Sequence, residues 1–169
     1  MIFTQKNILL TSILVTIILA YTSHTHCMNY HKMVEEVNKR YQKLCEAAKQ
    51  DDLTTVENLF EKNKDVLTNP YIKKDGYKKS PTHIAATKNS LKVLAYFIQQ
   101  KNTLNINLEE NLTYEGTPLH FAAKKGKLEA VKLLVEKGGV NKKIYNRYAG
   151  GFPLDLAKEH EDIKKYLEN

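Results

Sequence analysis

Residues 116–126 read Gly-Thr-Pro-Leu-His-Phe-Ala-Ala-Lys-Lys-Gly, and the chain runs on through Leu128-Glu129-Ala130-Val131-Lys132-Leu133-Leu134-Val135-Glu136-Lys137-Gly138. Local chemistry predicts two short helices in this stretch. Thr117 is placed to cap the first, with Pro118 at its opening position, where a missing N–H leaves no intrahelical bond unmade. Leu119, Ala122 and Ala123 share one face, and the alanines let a partner helix approach closely. Gly126 ends the helix, because a left-handed residue is least strained as glycine. Leu128, Val131, Leu134 and Val135 then form the apolar seam of a second helix, which Gly138-Gly139 is expected to stop.

The same pattern recurs along the chain. Thr117-Pro118-Leu119-His120 aligns with Ser80-Pro81-Thr82-His83 and with Phe152-Pro153-Leu154-Asp155. Ala122-Ala123 aligns with Ala85-Ala86 and Ala47-Ala48, and Ala157 takes the first of these positions in the last copy. The seam aligns with Leu91, Leu94, Phe97, Ile98 and with Leu53, Val56, Leu59, Phe60. Asn89 stands where Gly126 does and is the next best residue for a left-handed stop. Successive copies are 38, 37 and 35 residues apart, measured between Ala47, Ala85, Ala122 and Ala157. The last copy is truncated between its two helices. Each pair buries only part of its apolar surface alone, so neighbours must stack.

These residues resemble the ankyrin repeat, whose signature is Thr-Pro-Leu-His-x-Ala-Ala in a unit of about 33 residues. The resemblance implies an all-α solenoid of stacked helix-turn-helix units with loop or β-turn fingers, spanning residues 41–169 in repeats at about 41–76, 77–113, 114–146 and 147–169. It implies a non-enzymatic, protein-binding module. It also implies that His83 and His120 are structural, hydrogen-bonding within and between repeats. No triad-like nucleophile stands beside either histidine, and no Gly-rich phosphate loop, HExxH or Cys-x-x-Cys motif occurs. No catalytic residue, cofactor or metal is expected. Cys45 falls at the histidine's position in the first copy and reads as a partly buried helix residue.

Residues 1–23 read as a signal peptide or signal anchor. Lys6 precedes a mostly apolar run from Ile8 to Ala20, shorter than the ~20 residues of a membrane span. The expected address is secreted or periplasmic, or membrane-anchored if the segment is retained. An export signal on such a module resembles small exported ankyrin proteins of host-associated intracellular bacteria, and the Lys- and Asn-rich wording, with only Arg40 and Arg147, fits an AT-rich genome. Asn111-Leu112-Thr113 is a glycosylation sequon that matters only in a eukaryotic secretory pathway.

Residues 24–40 read as a spacer followed by a capping helix, with Tyr30, Met33, Val37, Tyr41 and Leu44 at helical spacing. The cluster His24, His26, Cys27 and His31 contains metal-ligand types. Ligands on a flexible tail are not preorganised, so it reads as a polar spacer. Two cysteines are too few for a disulfide framework.

The formal charge is +7 with a pI near 9.2. Scattered lysines ordinarily mark a solvated surface. Carried over from the family, however, the concave surface falls on Lys49 and Gln50, Thr87 and Lys88, Lys124 and Lys125, and Glu159 and His160. Its loop tips fall on Tyr77, Lys78 and Lys79, then Tyr114 and Glu115, then Tyr148. The candidate partner-binding set is therefore Tyr77, Lys79, Lys88, Tyr114, Lys124, Lys125 and Tyr148. Lysines with an aromatic residue on three successive loops suit a protein partner with an acidic face. Scarce arginine and the absence of a nucleic-acid motif argue against nucleic acid. The other reading is a basic structural module held to anionic lipid or another polyanion. The module is expected to be monomeric.

Overall fold

The computed structural model describes residues 31–62, 80–102 and 116–169. The chain divides into two compact units, Met1–Lys39 and Arg40–Asn169. Of the first, the described residues 31–39 are helical. Met33, expected on an apolar seam, is 53% exposed. The expected signal segment, the His24–Cys27 cluster and Tyr30 lie outside the described residues.

The second unit is built from helix pairs. Helix α1 covers residues 31–50 and ends within this unit, followed by α2 (Leu53–Lys62). Then come α3 (Pro81–Lys88) with α4 (Leu91–Gln99), and α5 (Pro118–Lys124) with α6 (Leu128–Lys132). The last pair is α7 (Pro153–Leu156) with α8 (Glu161–Glu168). Helix α3 packs on α5 and α5 on α7, so the first helices form one layer; the second helices form another. No strand occurs among the described residues, where Asn146 and Gly151 form an isolated antiparallel bridge.

The alanine pairs explain the close stacking. Ala48, Ala85, Ala86, Ala122, Ala123 and Ala157 are all 0% exposed, and Ala47 is 5% exposed. Larger side chains there would hold neighbouring helices apart. The second layer supplies apolar bulk: Val56, Phe60, Val93, Leu94, Phe97, Val131, Leu134, Ile163 and Leu167 are buried. Phe60 meets Phe97 edge-on at 5.9 Å across the first two repeats. Full burial of one such ring stabilises by about 1.5–3 kcal/mol.

The helix ends repeat in detail. The amides of Asp52, Ser90 and Lys127 bond to the carbonyls of Ala47, Ala85 and Ala122 at 3.0, 2.9 and 2.9 Å. The turn that makes these bonds passes through a left-handed residue: Asp51 (φ 58°), Asn89 (φ 61°) and Gly126 (φ 66°). Gly126 and Asn89 therefore terminate their helices as the sequence predicts. Asp51, left unassigned by sequence, does the same in the first repeat.

Two features differ from expectation. Helix α6 passes into a π-helical turn at Leu133–Lys137, which takes in one more residue than α4 has. Gly138 is still right-handed at φ −76°, so the helix is stopped by Gly139 alone, at φ +68°. The amide of Val140 then closes on the carbonyl of Leu134 at 3.1 Å. In the last repeat the truncation falls on α7, which has only four residues.

Candidate functional site

The inner side of the first-helix layer holds two buried, hydrogen-bonded histidines. His120 is fully buried. Its Nδ1 accepts the Thr117 backbone N–H at 3.1 Å and lies 2.9 Å from Thr117 Oγ1. Its Nε2 donates to the carbonyl of Gly151 at 3.1 Å. Because Nδ1 accepts an N–H, the ring is neutral and carries its proton on Nε2. Burial lowers the pKa of this ring, against the opposing pull of the Gly151 and Ile144 carbonyls. His83 repeats the arrangement, with Nδ1 2.7 Å from Ser80 Oγ and Nε2 3.1 Å from the carbonyl of Gly116. Phe121 of the next repeat packs edge-on against the His83 ring at 5.4 Å. Both histidines are thus fully engaged in holding repeats together, as the resemblance implies. Cys45, at the equivalent position, is half-buried, and burial pushes its thiol up to about 12. A thiol held protonated is a poor nucleophile.

A second line of links was not legible beforehand. Asp51 Oδ1 accepts the Val93 amide of α4 at 2.9 Å, and Asn89 Oδ1 accepts the Ala130 amide of α6 at 3.2 Å. Each side chain at a left-handed turn therefore caps the second helix of the following repeat. The only sequence signal was a polar residue at the turn in two successive copies. At Gly126 the pattern changes, since the His160 ring occupies the space a Cβ would need.

The solvent side of the same helices carries the candidate lysines. Lys88 and Lys124 end α3 and α5, Lys125 caps α5, and all three are exposed. None of the three makes an ion pair among the described residues. Lysine in a last helical turn suits the helix dipole, which is worth about 0.3–1 kcal/mol. The first repeat does not extend this strip as a free cation. Lys49 Nζ lies 3.4 Å from Glu46, which also accepts from Gln50 at 2.8 Å. Thr87 turns back to the His83 carbonyl at 2.6 Å. In the last repeat Glu159 is exposed and His160 half-buried. The cationic strip is thus centred on the second and third repeats.

Of the remaining candidates, Tyr77, Lys79 and Tyr114 lie outside the described residues. Tyr148 is 56% exposed on the finger leading to α7, with the Arg147 guanidinium 5.1 Å from its ring. Sequence reasoning missed its neighbours Tyr145 and Phe152, which are 60% and 39% exposed. Their signal was Phe152 itself, an aromatic residue at the helix-start position that Thr117 and Ser80 hold in the other repeats. Phe152 adopts the same extended backbone, φ −83° and ψ 162°, as Thr117 at −84° and 167°. It has no hydroxyl to place against the residue at the third helical position, as Ser80 and Thr117 do with their histidines. Asp155 compensates in part by accepting the Phe152 N–H at 2.7 Å.

Among the described residues, no three His, Cys, Asp or Glu side chains gather as metal ligands, and no helix is long and apolar enough to cross a membrane.

Comparison with known proteins agrees with this geometry. Alpha-latrotoxin-Lg1a from Latrodectus geometricus is 34% identical over 91 residues, which is 53% of this chain and 6% of that protein. The chain thus matches only a small part of that relative's length. A family profile described as ankyrin repeats (3 copies) matches residues 44–148 and 104–167. Such repeats are generally protein-binding and typically non-enzymatic. Stacked helix pairs, two buried histidines bridging successive repeats and a family match over most of its length together place this chain in the ankyrin-repeat family.

Proposed function

We propose that the chain is an exported binding module that engages an acidic face of a partner protein through the solvent side of its first-helix layer. The observation that carries this is the strip of Lys88, Lys124 and Lys125, exposed on helices whose other face is fully buried. Helices α3 and α5 are fixed side by side by the His83–Gly116 link and the alanine contacts, so the charges are held in register. Preorganised charge speeds association and selects an oppositely charged surface. By their equivalent places in the repeat, Tyr77, Lys79, Tyr114 and Tyr148 belong to the same proposed surface. Export rests on the basic start and the apolar run from Ile8 to Ala20.

Affinity capture from the extracellular fraction of the native source, with wild type and a Lys88→Glu, Lys124→Glu, Lys125→Glu variant, tests the binding claim. A stoichiometric protein retained by wild type and lost from the equally folded variant is the expected result. Equal capture by both overturns it. Flotation with phosphatidylserine vesicles that tracks the same three lysines, without a protein complex, points instead to a polyanion-binding surface. Mass spectrometry of the natural amino terminus tests export, and an intact Met1 in cytosol refutes it.

A further inference from the structure

The finger before α7 is built to hold its side chains still. Asn146 is 5% exposed, and its Oδ1 accepts the amides of Tyr148 and Ala149 at 2.8 and 2.7 Å. Asn146 and Gly151 exchange both backbone hydrogen bonds at 2.9 Å, and Gly150 and Gly151 take φ of +104° and +124°. The His120 ring bonds the Gly151 carbonyl from the preceding repeat. A turn fixed this firmly loses little conformational entropy when it binds.

On this rigid turn the fold exposes aromatic surface. Among the described residues there are four exposed large apolar side chains, and three of them, Tyr145, Tyr148 and Phe152, lie on the finger. Tyr145 and Phe152 pair edge-on at 5.1 Å, and Arg147 lies over Tyr148. Clustered exposed apolar groups on one element mark a contact surface more often than scattered ones do. Charge is one-sided as well: residues 141–152 contain Lys142, Lys143 and Arg147 and no acidic residue. Phe152 adds a further argument, since a large exposed ring stands where Ser80 and Thr117 hold small hydroxyl side chains against their histidines. Local rules broken without local gain concentrate at functional sites.

We propose that this finger is a preformed docking site for an acidic protein segment bearing an aliphatic or aromatic side chain beside its carboxylates. The apolar side chain seats on the Tyr145–Phe152 pair, and the carboxylates face Arg147 and Lys143. This rests on the reading of the chain as a protein-binding module and assigns that module its apolar anchor. The aromatic pair favours a protein segment, because a strip of charge alone would serve a polyanion equally well.

The test selects a random dodecapeptide library, displayed on phage, against the immobilised full chain. Recovered peptides are expected to combine Asp or Glu with Leu, Ile or Phe. A synthetic representative should bind Phe152→Thr and Arg147→Glu at least tenfold more weakly, as expected for loss of one anchor. Phe152→Thr should melt no lower than wild type, because Phe152 is exposed and Thr117 adopts the same extended backbone at the equivalent place in the third repeat. Failure to enrich acidic, apolar peptides overturns the proposal, as does a lower melting temperature for Phe152→Thr. Peptides that depend on Lys88, Lys124 and Lys125 but not on Phe152 overturn the finger while leaving the basic-face reading intact. Peptides indifferent to both sets remove both. Phosphatidylserine vesicles bound by wild type and released by Phe152→Thr make the finger a membrane contact and also overturn the proposal.

Discussion

His120 Nε2 donates to the carbonyl oxygen of Gly151 at 3.1 Å, across 31 residues of chain. The same ring, through Nδ1, holds the N-terminus of its own helix by accepting from Thr117. One side chain therefore fixes a helix start and docks the next repeat. His83 does likewise towards Gly116. The line stops at Asp155, whose carboxylate takes over the local bond to the Phe152 amide but has no proton to offer a further repeat. It starts after Cys45, which has no ring to reach forward.

Replacing His120 by alanine should therefore lower stability by about 1–3 kcal/mol, the usual effect of breaking a buried hydrogen-bond network. The Thr117 amide loses its partner, and the Gly151 carbonyl keeps only the Asn146 amide. Urea unfolding followed by circular dichroism measures the change. A variant as stable as wild type would show that these bonds contribute nothing net.

Acid should weaken the fold through the same residue. The pKa of His120 is lowered from 6.5 in the folded state, chiefly by burial. Below about pH 6.5 the unfolded chain takes up a proton that the folded chain resists. Stability from this group is fully present above that pH and is lost as pH falls towards the folded pKa. The slope approaches about 1.4 kcal/mol per pH unit for one proton. Unfolding free energy measured from pH 7.5 to 5 should fall less steeply in His120→Ala than in wild type. Parallel curves for the two proteins would contradict the assignment.

The repeat architecture was legible because each helix pair carries its own signals: Pro118 and Pro81 at helix starts, alanine pairs at the interfaces, Gly126 and Asn89 at the stops. These are local rules, and the structure obeys them. Residues acting between repeats were harder to find. Asp51 and Asn89 look like ordinary turn residues, and their second role depends on where the next helix begins. The π turn at Leu133–Lys137 leaves the apolar spacing unchanged in sequence, so the pair Gly138-Gly139 read as the stop without showing that Gly139 alone makes it. The lysine strip followed from position alone. The exposed Tyr145–Phe152 pair did not, because pairing across a turn depends on how the turn closes.

The link made by Asn89 can be separated from its backbone role. Asn89→Ala removes the Oδ1 acceptor for Ala130 and places a Cβ residue without Asn's local hydrogen bonding at φ 61°. Both effects destabilise, by a total of about 2 kcal/mol. Asn89→Gly removes the acceptor alone and relieves the backbone, so its effect should be a few tenths of a kcal/mol to about 1. Chemical denaturation of the two variants gives the comparison. Equal losses would mean that the inter-repeat cap, and not the left-handed turn, carries the whole contribution of this residue.

Gly126 meets a different constraint at the equivalent turn. A Cβ there would lie 2.5 Å from His160 Cε1, inside any tolerable contact, and the backbone sits at φ +66°. Gly126→Ala should thus combine left-handed strain of about 1–2 kcal/mol with the displacement of a half-buried ring. His160→Ala alone removes the ring and opens the space, with a smaller loss. If the close approach is the dominant problem, the double variant will be more stable than the sum of the two single changes predicts, by about 1 kcal/mol or more. Strict additivity would assign the whole penalty to the backbone. It would also show that the His160 ring moves aside freely, leaving the contact between the third and fourth repeats insensitive to it.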